Sequence, residues 1–283
     1  MEKLRNILKV TILMIITLLM IIPLIMIITG SFMGESEVIK SISPIMDNKD
    51  AMVSWPVIPQ YPTLKPYVEL LLDSPVFFKM FWNTCFQVFI SIALQLIVAV
   101  PAGWSFAQYR FKGKKILLLI YIMLMILPFQ VTMVSSYLIF DKLHLMDTHF
   151  SIIIYNAFST LPVFILSKFF KGIPKSLIES ARIDGASEFD IFKKIALPLG
   201  FPGILSVIVL DFLEYWNNIE LPMTFLKNKA LWPLSLYLPG ISTDNLGVSL
   251  AASVIMLLPA LLIFLWGQKY LEEGIIASGM KES

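Results

Sequence analysis

Long apolar runs separated by short polar intervals dominate the chain, and six can be followed: roughly Val10 to Ile28, Phe81 to Ala107, Ile116 to Phe140, Phe150 to Phe170, Phe201 to Met223 and Val248 to Trp266. Each comes close to or exceeds the ~20 residues that a helix rising about 1.5 Å per residue needs to cross ~30 Å of hydrocarbon. The runs are rich in Leu, Ile and Met, show no period-two alternation and far exceed strand length, which argues against a transmembrane β-barrel. Helices are then the way to satisfy the backbone in lipid. The pattern predicts an all-α, polytopic membrane protein with six transmembrane helices.

Composition agrees: hydrophobic residues make up 57% of 283 positions and charged residues 15%, and the mean hydropathy is +0.79. Lys and Arg set the orientation, because short cytoplasmic loops retain them. With the N-terminus inside, 15 of the 22 basic residues are cytoplasmic, at the head, after span two, between spans four and five, and in the tail. Both termini are therefore expected in the cytoplasm. A signal peptide in place of span one would have a shorter apolar run, and no convincing small-x-small cleavage site follows Ile28.

The organisation that follows is an N-terminal segment with its first helix (1–30), an extracytoplasmic loop (31–80), a five-helix core (81–270) containing a charged loop at 171–200, and a cytoplasmic tail (271–283). The 31–80 loop holds Pro44, Pro56, Pro59, Pro62, Pro66 and Pro75, which favour extended and turn structure. Within it Pro66 to Leu72 can begin a short helix at the membrane surface. The loop reads either as a docking surface for an external partner or as a structured cap. Pro101 with Gly103, Pro128, Pro162 and Pro259 lie in or near spans, where they can kink helices.

Little in the chain suggests bond chemistry. There is no GxxxxGK[ST], HExxH, GxSxG or CxxC, so ATP energy has to come from a partner. Cys85 stands alone and cannot form an internal disulfide; a small buried hydrophobe is its expected role. His144 and His149 fall in a short external loop and are expected to be solvated. The net charge of +2 does not imply nucleic acid. No internal repeat is evident, which weighs against a secondary transporter.

The charged stretch between spans four and five has its own grammar. Pro174 suits a first helical turn, and Leu177, Ile178 and Ala181 form a narrow apolar face. Gly185 stops that helix by entering the left-handed conformation. Ser187 can cap a second helix with Asp190 three residues on; Phe189, Phe192, Ile195 and Ala196 share its face, and Pro198 marks its exit. An amphipathic hairpin resting on lipid headgroups would explain the charge and the apolar faces, but not the spacing.

That spacing resembles the E-A-A-x3-G-x9-I-x-L-P signature of permease subunits of binding-protein-dependent ABC importers. Here it runs Glu179, Ser180, Ala181, Gly185, Ile195, Leu197, Pro198, and departs only in Ser180, where alanine is usual. The chain looks most similar to the carbohydrate-type, maltose-type branch, through Leu127 to Phe140, Ile173 to Ser187, Phe212 to Asn218 and Ser249 to Lys281. The resemblance implies a type I ABC importer permease fold in a bacterial-type inner membrane. It implies a coupling helix seated in a cleft of an ATPase subunit, carried here by Glu179, Ser180, Ala181, Asp184, Gly185 and Ala186. The implied partners are a second permease subunit, two ATP-binding subunits that hold ATP and Mg, an extracytoplasmic solute-binding protein and a carbohydrate cargo; this chain itself needs no cofactor. Residues Gly274 to Lys281 match the family's tail, which either reaches the ATPase pair or frays.

Span five carries Asp211, Glu214, Asn217 and Asn218, expected along one helical face. Ionisable groups at membrane depth cost about 2.5 to 3.5 kcal/mol unless paired or hydrated, so a translocation path lined by Asp211, Glu214, Trp216 and Asn217 is one reading; pairing with a partner subunit and interfacial anchoring by Trp216 are the others. An ion-coupled transporter using Asp211 and Glu214, or a membrane scaffold, are the competing functions.

Overall fold

The computed structural model describes residues 2–46, 55–237 and 245–279. These form α1 (Glu2–Ser31), α2 (Glu35–Met46), α3 (Lys65–Leu72), α4 (Pro75–Gln108), α5 (Lys114–Ile126), α6 (Phe129–Lys142), α7 (His149–Ala157), α8 (Leu161–Lys171), α9 (Lys175–Ile183), α10 (Glu188–Ile191), α11 (Leu197–Asn217), α12 (Glu220–Phe225) and α13 (Leu246–Gly279). Among the described residues there is no strand beyond an isolated Met33–Pro62 bridge. The chain divides into two units, one of Met1–Lys79 with Tyr237–Pro259, the other of Met80–Leu236 with Ala260–Ser283.

In the first unit, Met33, Val38 and Leu70 are fully enclosed. Ser31 Oγ lies 2.7 Å from the Tyr67 hydroxyl, and the Glu37 carboxylate accepts from the backbone N–H of Gln60 and of Tyr61 at 2.8 and 3.2 Å. The segment 65–72 is helical as its sequence suggested, but the stretch before it is not merely extended: α2 occupies Glu35–Met46. Glu35 and Glu37 stand in its first turn, where carboxylates complement the positive end of the helix dipole.

The second unit is built around α4, α8 and α11. Ala99, Val100 and Trp104 meet Val163, Leu166 and Phe170, with Ile178, Ile191, Ala196 and Val207 closing the cluster. Gly203 permits the approach of α11 to α8, since a Cβ there would sit 2.4 Å from Cγ of Phe169.

Five described helices are long and apolar enough to cross a membrane, and six if the bent pair α5 and α6 counts as one span. That pair corrects the continuous third span: it bends by 105° because Pro128 pushes Leu127 to extended backbone, φ −67° and ψ 125°. The fourth run is likewise interrupted, between Ala157 and Leu161. The fifth begins earlier and ends sooner than expected. Its helix is continuous from Glu188 to Asn217, so Pro198 is no exit but lies in the first turn of α11. It stops short of Met223 because Asn218 turns extended and its side chain accepts the N–H of Leu221 at 3.0 Å.

His149 also departs from expectation. It is half-buried, its Nδ1 lies 3.0 Å from Gln87 Nε2, and Phe86 packs edge-on at 5.4 Å; His144 is exposed. Cys85 is free and half-buried.

Candidate functional site

Two places gather the residues singled out from the sequence. The first is the hairpin around Gly185. Pro174 stands just before α9, as its N-cap. Ile178 is buried and Ala181 half-buried, whereas Leu177 is exposed, so the apolar face is narrower than expected. Gly185 takes φ +82°. Its N–H reaches Arg182 O at 3.1 Å and the N–H of Ala186 reaches Ala181 O at 2.9 Å, the paired bonds of a Schellman ending. Ser187 Oγ then accepts the N–H of Asp190 at 3.1 Å and starts α10.

An ion pair spans the elbow. Arg182 Nε donates to Glu188 Oε1 at 2.7 Å and Nη2 to Oε2 at 3.2 Å, while the Tyr109 hydroxyl donates to Glu188 Oε2 at 2.9 Å. The Glu188 carboxylate holds the Arg182 guanidinium above its usual pKa. Desolvation first, then Glu188, raises the Tyr109 phenol. Such an exposed pair adds little stability, but its two-pronged geometry fixes the angle between α9 and α10. Tyr109 drew no attention in the sequence; nothing local marks it.

The second helix of the hairpin buries most of the expected face, with Ile191 added and Phe189 left out. Ile191 and Ala196 are fully buried, Phe192 and Ile195 only half-buried, and Phe189 is 70% exposed. A π-helical turn over Phe192–Ala196 explains this, because it places residues five apart on one side. Glu179, Ser180, Asp184 and Gly185 are exposed and Ala186 half-buried, beside the bare side chains of Ile183 and Phe189. The hairpin thus offers a mixed apolar and charged tip on a rigid frame.

The second place is a cavity of about 720 Å³ in the second unit. Three helix interruptions converge on it: Leu127 between α5 and α6, Phe158 to Thr160 between α7 and α8, and Asn218 with Ile219 between α11 and α12. Broken helices at membrane depth are tolerated where they are buried in protein or line a watery space. Thr132, Ser136, Tyr155, Asn156 and Glu214 add polar groups to its wall, and Phe129, Phe140 and Tyr215 aromatic ones.

The four span-five residues do not stay together. Glu214 lines the cavity. Asp211 turns inward, 2% exposed, and its Oδ2 has no hydrogen-bond partner among the described residues. Trp216 is enclosed, stacked on Phe212 at 5.2 Å with Phe81 edge-on at 6.0 Å. Asn217 is exposed, outside the cavity lining, and its amide donates to Leu213 O at 2.8 Å. Positions 211, 214 and 217 drift steadily around a helix of 3.6 residues per turn, so the row spreads across more than one face. Sequence reasoning missed Glu220 and Gln130, whose amide donates to both Glu220 oxygens at 2.8 and 2.9 Å. Gln130 lies at the start of α6, just past the bend at Pro128.

Comparison with known proteins adds an independent line. The family model described as "Binding-protein-dependent transport system inner membrane component" matches residues 99–277. The arabinooligosaccharides transport system permease protein AraQ of Bacillus subtilis is 29% identical over 247 residues, which cover 86% of this chain and 88% of that protein. A protein of Pyrococcus horikoshii named as a probable ABC transporter permease is 33% identical over 229 residues, covering 78% and 83%. In fold, the chain is similar to a component of a bacterial ABC transporter involved in the import of the acidic polysaccharide alginate, with a TM-score of 0.79, 22% identity and coverage of 95% and 97%.

Proposed function

Because this chain belongs to the binding-protein-dependent transport system inner membrane components, and is thus a permease subunit of an ABC importer, we propose that its cargo is a sugar or oligosaccharide. The arabinooligosaccharide permease among its relatives supports that class. In this reading the chain shares its path with a second permease subunit, receives cargo from an extracytoplasmic solute-binding protein and rides on two ATP-binding subunits that hold ATP and Mg. Its own part is gating, with no bond made or broken, and both termini lie in the cytoplasm.

The observation that carries the mechanism is the hairpin. Glu179, Ser180, Ala181, Asp184, Gly185 and Ala186 form its tip, which seats in the ATPase. A short, braced element in a pocket transmits rigid-body motion. The Arg182–Glu188–Tyr109 bridge links α9 and α10 to the chain just past α4, so movement of the tip reaches α4 and α11 together. The cavity is the segment of the path that this subunit supplies. Glu214 stands on its wall, Asp211 and Trp216 are enclosed away from the lining, and Asn217 is exposed at the end of α11. No observation favours an ion-coupled transporter or a scaffold.

Gly185→Val tests the coupling. No atom lies within 4 Å of a Cβ at Gly185, so the variant suffers only the strained φ and a bulkier tip. Uptake should be abolished and the ATPase should dissociate during purification. Normal uptake with a fully retained ATPase would refute the role.

A further inference from the structure

The cavity is not electrically neutral. Among the described residues that line it, the carboxylates are Glu214 and Glu220, and none is Lys, Arg or His. Glu220 is held by Gln130, whose amide reaches both carboxylate oxygens and leaves the negative charge uncompensated. Glu214 makes no salt bridge or side-chain hydrogen bond among the described residues and stands open to the cavity. The rest of the wall is hydroxyl, amide and aromatic, with Tyr155 and Phe129 packed edge to face at 5.9 Å. Ring faces and neutral donors suit pyranose or furanose rings, while low-dielectric walls concentrate the field of the two carboxylates.

We propose that this cavity selects solutes by charge, admitting neutral and amino sugars and rejecting uronate-containing or phosphorylated ones, with Glu214 and Glu220 as the specificity-determining residues. The proposal rests on the reading of the cavity as part of the path. It makes the permease a second filter behind the binding protein. A uronate oligosaccharide would meet two carboxylates with no cation among the described lining residues to offset them. An ammonium group on a sugar would meet a favourable field.

The test reads the field without knowing the cargo. In the assembled importer, Cys85→Ser removes this chain's own thiol, Ser136→Cys places a probe on the cavity wall, and labelling of the Cys85→Ser complex without the probe is subtracted. The probe's reaction rates with a cationic trimethylammonium-ethyl and an anionic sulfonatoethyl methanethiosulfonate are compared with those of a free thiol. The cation-to-anion ratio should exceed the free-thiol ratio by about tenfold, fall towards it in Glu214→Gln with Glu220→Gln, and shrink as salt rises. A ratio equal to that of a free thiol in the parent complex would overturn the proposal, as would a ratio unchanged by both Gln substitutions. The salt series needs no carboxylate variant and stands if those variants assemble poorly. Adding ATP separates the two readings: labelling that ignores ATP turnover argues against the path, whereas ATP-dependent labelling with no charge bias removes only the filter.

Discussion

The helices Arg5–Ser31 and Glu188–Asn217 invert what a water-soluble fold would show. The first has a mean hydropathy of 3.0 over its most apolar window, and none of that window is buried by the described protein; the second has 2.0, and half of its window is buried. In water the more apolar helix would be the more enclosed, because apolar surface is what water expels. In a bilayer, lipid tails solvate Leu as well as another helix does, and helices associate through close packing of small residues and polar contacts. Segment 5–31 offers Leu, Ile and Met around its whole circumference. Gly203 and Ser206 of α11 instead let it approach its neighbours, Ser206 Oγ bonding Pro202 O within the helix and Tyr270 O on α13. Hydropathy therefore reports where a helix meets lipid, and small residues report where it meets protein.

That contrast can be attacked from both sides. The largest effect is expected from Leu18→Lys, which puts a charge in the middle of the lipid-facing helix; membrane integration of the first span should fall by about 3 kcal/mol, read as the inserted fraction in a translocation assay. Next comes Gly203→Leu, whose Cβ would begin 2.4 Å from Phe169. This overpacking should cost about 1–3 kcal/mol, seen as a lower unfolding midpoint of the purified importer. Ser206→Ala, removing a hydroxyl that links α11 to α13, should cost about 0.6 kcal/mol in the same measurement. Smallest is Thr17→Val: its hydroxyl bonds only Leu13 O of its own helix at 2.8 Å, and the midpoint should stay within about 0.5 kcal/mol of the parent. A Thr17→Val loss larger than that of Ser206→Ala would erase the distinction between the two helices.

Much of the hairpin was legible in the chain. Gly185, Ser187 and Asp190 act locally, through a left-handed φ and a side chain bonding a backbone N–H three residues away, and local chemistry is written in local sequence. On the second hairpin helix Phe192, Ile195 and Ala196 were legible as the packed face, but the exchange of Phe189 for Ile191 was not, because the π turn over Phe192–Ala196 shifts the helical phase and nothing local marks it. The cavity was legible only in pieces. Pro128 announced a bend but not its 105° size, and Asn218 gave no sign that it would end α11 by capping Leu221.

By itself, then, the sequence determined a helical membrane protein, its apolar spans and a glycine-hinged charged hairpin, because each follows from residues close together in the chain. Tertiary structure alone decided which span-five carboxylate is enclosed and which opens onto the cavity, and that Gln130 meets Glu220 across 90 residues. A helical row of polar residues has no inside until neighbouring helices supply one. Here α4 packs over Trp216, while the broken helices α5 to α8 leave Glu214 uncovered.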